Sequence, residues 1–126
     1  MNDIDLTGFS TAQHEALFDL LILAMYADGH LSSPEEERLQ GLLARRGFVE
    51  EADRQRQWDA AVTRIRPGIQ SIQKAKEMAM GLAGAFTDRS QQKQVLTAVE
   101  QIMTSDNNLS TWETTLLSEL RLKFRR

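Results

Sequence analysis

Apolar side chains recur along this chain every three to four residues, the spacing that lines one face of an α-helix. Leu17, Leu20, Leu21, Ala24 and Met25 mark the first such face. Ser10, with Gln13 three residues on, matches a capping box and starts this helix; Asp28-Gly29 ends it. Ser32-Ser33-Pro34-Glu35 opens a second helix, since Ser32 with Glu35 forms another box and proline suits a first turn. Leu39, Leu42 and Leu43 are its apolar stripe, and Gly47 stops it. A third helix is expected from about Glu50 to Ile65, with Trp58, Ala61, Val62 and Ile65 on one face and Pro67-Gly68 as the break.

The fourth helix is expected from about Ile69 to Phe86, with Ile69, Ile72, Ala75, Ala79, Leu82, Ala83 and Phe86 sharing a face. Its second half is thin, so another helix can approach closely, which points to it as the central one. Thr87-Asp88 caps a fifth helix running through Ser105. A sixth runs from about Thr111 to Phe124, with Leu116, Leu117, Leu120 and Phe124 inward. Strict apolar and polar alternation is nearly absent, so no sheet is expected. The pattern predicts an all-α chain, a compact bundle of six to seven helices forming one domain over residues 1–126.

The chain also repeats itself. A shift of 78 positions lays Asp28-Gly-His-Leu31-Ser32-Ser-Pro-Glu35 on Asp106-Asn-Asn-Leu109-Ser110-Thr-Trp-Glu113, with Asp, Leu, Ser and Glu identical. The same shift lays Leu17, Leu20, Leu21, Ala24 and Met25 on Val95, Ala98, Val99, Ile102 and Met103, and Leu39 and Leu42 on Leu117 and Leu120. Two helical hairpins follow, about 11–47 and 88–126, expected to pack with pseudo-two-fold symmetry around helices at about 50–86.

Each elbow can be read in two ways. Asp28 lies three residues past Met25, at the end of a helix where the dipole disfavours an acid, so something must compensate. Its carboxylate can accept backbone N–H groups of the turn while Ser32 and Glu35 cap the next helix, which explains all four identities without a ligand. Alternatively Asp28 and Glu35, with Asp106 and Glu113, supply oxygen ligands to a hard cation, Ca²⁺ or Mg²⁺. The elbow is not an EF-hand loop: counted from Asp28, position 6 is Ser33 and position 12 is Leu39.

Asp28-Gly29-x-Leu31-Ser32-x-x-Glu35 after an amphipathic helix, repeated late at Asp106-x-x-Leu109-Ser110-x-x-Glu113, resembles the tellurite-resistance TerB-like family. That family is similar in turn to the N-terminal region of DjlA-type membrane-anchored co-chaperones. The resemblance covers about residues 11 to 124. It implies a helical bundle with internal pseudo-symmetry and a part in bacterial stress responses, including tellurite resistance. It also implies action through protein partners, often near the inner face of the membrane. The family's shared acids, taken as metal ligands, fall on Asp28, Glu35, Asp106 and Glu113. Asn107 stands where the pattern has glycine; asparagine tolerates the left-handed turn.

Composition narrows this reading. The absence of cysteine removes disulfides, thiolate metal sites and cysteine nucleophiles. The net charge of −3 disfavours nucleic acid as a partner. The basic groups Arg45 and Arg46, Arg64 and Arg66, and Arg121, Lys123, Arg125 and Arg126 read as solvated helix ends. The longest apolar run, Leu20 to Ala27, has eight residues, where a membrane span needs roughly 20. With an acidic start unlike a signal peptide, a cytoplasmic protein without a direct membrane span is expected. His14 and His30 are the only histidines, and no nucleophile with its base can be assembled, so the chain is not expected to be an enzyme. Trp112, in the first turn of the sixth helix, is expected to pack over its elbow.

Overall fold

The computed structural model describes residues 9–27, 33–103 and 111–124, and at 27, 34, 35, 102, 103 and 111–113 the backbone alone. Six α-helices run through these residues: α1 (Thr11–Ala27), α2 (Ser33–Arg45), α3 (Glu51–Ile65), α4 (Ile72–Ala83), α5 (Arg89–Met103) and α6 (Thr111–Phe124). A 3₁₀ turn at Arg66–Gln70 joins α3 to α4. No strand occurs among the described residues. The chain is all-α, as its periodicity requires.

Local chemistry sets the helix ends. Before α1 the Gln13 N–H donates to Ser10 Oγ at 3.1 Å and the Ser10 N–H donates to Gln13 Oε1 at 3.0 Å, a complete capping box. After α2, Gly47 takes φ +107°, and the Phe48 N–H reaches back to the Leu43 carbonyl. Glycine accepts this left-handed turn without the clash a Cβ brings. The start of α4 differs from the expected Ile69. Residues 66–70 form the 3₁₀ turn, and Ser71 is extended and accepts the Lys74 N–H on its hydroxyl, so the helix begins at Ile72. Ile72 is at that exposed first turn and stays 65% exposed, contrary to its place on the expected apolar face. Gly68 packs against Met78, whose Sδ would lie 2.7 Å from a Cβ there. The helix ends at Ala83, where tighter i to i−3 bonds take over through Phe86.

The helix at the centre is α1, where periodicity pointed to α4. From Leu17 to Met25 every side chain is buried, on all sides of the helix. It packs against α2, α3, α4, α5, α6 and the 3₁₀ turn. A helix apolar all round has no face to spare for water. Each fully buried Leu or Ile contributes about 1.5–3 kcal/mol relative to exposure, so this segment dominates the core. Against it α4 lays Ala75, Ala79 and Ala83, each fully buried.

Positions 78 residues apart share several environments. The first residues of α1 and α5, Thr11 and Arg89, are 78 apart, as are those of α2 and α6, Ser33 and Thr111. Leu17, Leu20 and Leu21 are buried, and so are Val95, Ala98 and Val99; Leu39 and Leu42 are buried, and so are Leu117 and Leu120. The hairpins exchange partners, α1 packing on α6 and α2 on α5. Gln13 and Gln91, also 78 apart, bond each other through both amides, at 2.9 and 3.1 Å.

Candidate functional site

Asp28 and Asp106 lie outside the described residues, as do His30, Leu31 and Leu109. Glu35 and Glu113 are each the third residue of their helices, α2 and α6, and their side chains lie outside the described set, like that of Trp112. Among the described residues no three His, Cys, Asp or Glu side chains gather where they could hold a metal ion. Among them, too, no helix is long and apolar enough to cross a membrane.

Two charged assemblies are in view. The first joins α1 to α3. Asp19 interrupts the apolar run of α1 and is the one charged side chain buried among the described residues, at 4% exposure. Arg64 of α3 meets it with two parallel bonds, Nε to Oδ2 and Nη2 to Oδ1, both 2.8 Å. This fork-to-fork geometry satisfies both carboxylate oxygens, which a buried acid requires. The hydrogen bond to Asp19 raises the Arg64 pKa above its ordinary value. Glu15 stands 4.0 Å from Arg64 Nη1. Arg46, just past the end of α2, is partly buried near the same charges, and burial lowers its pKa. Phe18 and Trp58 pack edge to face, ring centroids 5.8 Å apart, and Trp58 Nε1 donates to the Tyr26 hydroxyl at 3.0 Å. These contacts seat α3 antiparallel to α1, with Tyr26 beside Trp58 and Asp19 beside Arg64. The pair was not identified from sequence; its signal was an acid inside a run of apolar residues.

The second assembly is a groove of about 330 Å³ between α5 and α6. Leu96 and Phe124 form its floor, and Arg89, Gln92, Lys93 and Arg121 its walls. A second hollow shares Gln92 and Phe124 with it and is also lined by Lys123 and Phe86. Arg89 donates to the Phe124 carbonyl at 2.6 Å, capping the end of α6, and Arg121 pairs with Glu100. The Lys93 and Lys123 ammonium groups have no hydrogen bond or ion pair among the described residues. Arg121 and Lys123 do sit in the last turn of α6, where cations offset the dipole. Arg89, though it comes from α5, serves the same carbonyl end of α6, so Lys93 is the groove cation that dipole compensation does not account for. Sequence reading placed Arg121 and Lys123 at a helix end and missed the groove, because only packing brings α5 beside them.

Comparison with known protein families, with curated proteins and with solved structures finds no match.

Proposed function

We propose that this chain is a non-enzymatic stress-response module of the tellurite-resistance TerB-like kind. It acts through partner proteins in the cytoplasm, at the inner face of the membrane, and takes a divalent cation, Ca²⁺ or Mg²⁺, on Asp28, Glu35, Asp106 and Glu113. Residues 1–126 are one unit in this reading, built as two hairpins related by a pseudo-two-fold axis.

The observation that carries the reading is the Gln13–Gln91 pair. In a two-fold arrangement, residues on the axis meet their own counterparts, and these two are 78 apart and bond reciprocally. Coincident helix starts and the exchange of partners between hairpins support it as well. A duplicated hairpin makes the elbows a matched pair; if the two-fold places them together, four carboxylates in close approach need a cation or raised pKa values.

A second reading, a ligand-free scaffolding domain, is favoured by the capping box at Ser10 and Gln13. The chain uses Ser-x-x-Gln there as a cap, and Ser32-x-x-Glu35 and Ser110-x-x-Glu113 follow the same pattern.

Thermal unfolding with millimolar Ca²⁺, Mg²⁺ or Mn²⁺ separates them. A cation at about 100 times its dissociation constant adds about 2.7 kcal/mol. That corresponds to a rise in Tm of about 10 °C for a chain of this size. Asp28→Asn combined with Asp106→Asn abolishes the rise if the elbows are the site. An unchanged Tm in all three cations overturns the cation site.

A further inference from the structure

We infer that the groove between α5 and α6 is a docking site for an acidic amphipathic helix of a partner protein. The inference rests on the partner-binding, two-fold reading above and names the chemistry of the partner.

The 78-residue shift carries the groove onto a part of the molecule that is already filled. Lys93, Leu96, Arg121 and Phe124 fall on Glu15, Phe18, Leu43 and Arg46. Those residues lie on α1, on α2 and, for Arg46, just past the end of α2; α3 packs on both helices. Trp58 of α3 stands against Phe18, Arg64 of α3 reaches Glu15 and Asp19, and Arg54 of α3 bonds Gln40 of α2. The first hairpin therefore has its third helix from its own chain. Nothing among the described residues covers the second hairpin at the equivalent place, and Lys93 and Arg121 are exposed there.

Charge identifies the occupant. The covered face presents the acids Glu15 and Asp19, and α3 answers with Arg64. The open face presents Lys93 unpaired, beside Arg89, which holds the Phe124 carbonyl, and Arg121, which holds Glu100, with Lys123 at the adjoining hollow; positive charge is in excess there, so a helix seated on it answers with carboxylates. The floor of Leu96 and Phe124 takes an apolar anchor, as Phe18 takes Trp58. Inorganic phosphate or a nucleic-acid backbone would leave that floor unused, and the chain as a whole is acidic. A concave site also suits a helix better than the flat face of a bilayer.

The probe is a fluorescein-labelled peptide of the α3 sequence, Glu51–Ile65, carrying Arg54→Glu, Arg56→Glu and Arg64→Glu. A lactam bridge holds it helical, since an isolated helix of this length is marginal. Fluorescence anisotropy against the full chain is expected to show saturable binding. Lys93→Glu combined with Lys123→Glu should weaken it at least about tenfold, a loss of about 1.4 kcal/mol. The bridged peptide with the native arginines should bind at least about tenfold more weakly for the same electrostatic reason. No binding below about 1 mM peptide, the scale of a very weak complex, overturns the inference. So does equal binding of the two peptides, or binding indifferent to the lysine reversals. So does a dimer of the chain, seen by sedimentation, that the reversals dissociate. The cation-induced rise in Tm is expected to persist in the lysine variant. In the unaltered chain, no peptide binding with that rise present is a failure of the groove alone, and no rise with peptide binding present is a failure of the elbows alone.

Discussion

Removing Arg64 and removing Asp19 break the same ion pair with different consequences. Asp19 is 6% exposed at its side chain and Arg64 is 37% exposed. An Arg64 left alone can turn its guanidinium to water, while an Asp19 left alone keeps an unpaired carboxylate in the core. Arg64→Met is therefore expected to cost about 3 kcal/mol and Asp19→Ala about 1.5 kcal/mol. Asp19→Leu with Arg64→Met should recover most of the larger loss, because a buried pair can be replaced by apolar packing at little cost. Urea unfolding of the variants, closed as a double-mutant cycle, measures the coupling. Equal costs for the two single variants would show that the asymmetry of burial does not govern the pair.

Among the helices, α4 shows how side-chain size sets an approach distance. Ala75, Ala79 and Ala83 are fully buried along its inner stripe, and α4 packs on α1 and α6. Three added carbons at the middle of that stripe have no room. Ala79→Leu is expected to cost about 3 kcal/mol, the upper end of the range for overpacking. The contrast lies on the same helix. A Cβ at Gly81 meets nothing within 4 Å, so Gly81→Ala should stabilise by about 0.5–1 kcal/mol through helix propensity. Thermal denaturation of both variants checks the pair of signs. The small-residue stripe itself was legible in sequence. Its meaning was not, because a thin helix can be the centre of a bundle or the one that leans closely on the centre. The decisive signal was the uninterrupted run from Leu20 to Ala27, which spans the whole circumference of α1. Counting only one face at helical spacing concealed it.

For the molecule as a whole, the hairpins depend on one another. Residues buried on α1 are covered by α3, α4 and α6 as well as by α2, and α2 packs on α5. A fragment of residues 1–47 would leave the Leu20–Met25 segment without most of its cover. It is expected to lack the helical far-ultraviolet dichroism of the full chain, and mixing with a 48–126 fragment should restore it. A stable, monomeric helical fragment would show instead that the first hairpin folds on its own.

The helices themselves were determined by the sequence, as were their order and most of their ends. Capping boxes, a left-handed glycine and apolar spacing act over four or five residues, and the chain carries them in that compass. Ser10 with Gln13 and the turn at Gly47 were readable for this reason. The buried stripes of α3 and α6 were readable too. The start of α4 was misplaced by three residues because Pro67-Gly68 and Ser71 both offer a beginning; the Ser71 cap takes it, while residues 66–70 form the 3₁₀ turn, in which Gly68 packs on Met78. The tertiary structure alone decided which helix is central, which arginine meets Asp19, and that cations of α5 and α6 share a groove. Asp19 could face any of 15 Lys and Arg residues, and its partner lies 45 positions away. Such pairings depend on which surfaces exclude water from one another, and that is a property of the packed helices together rather than of any one stretch of chain.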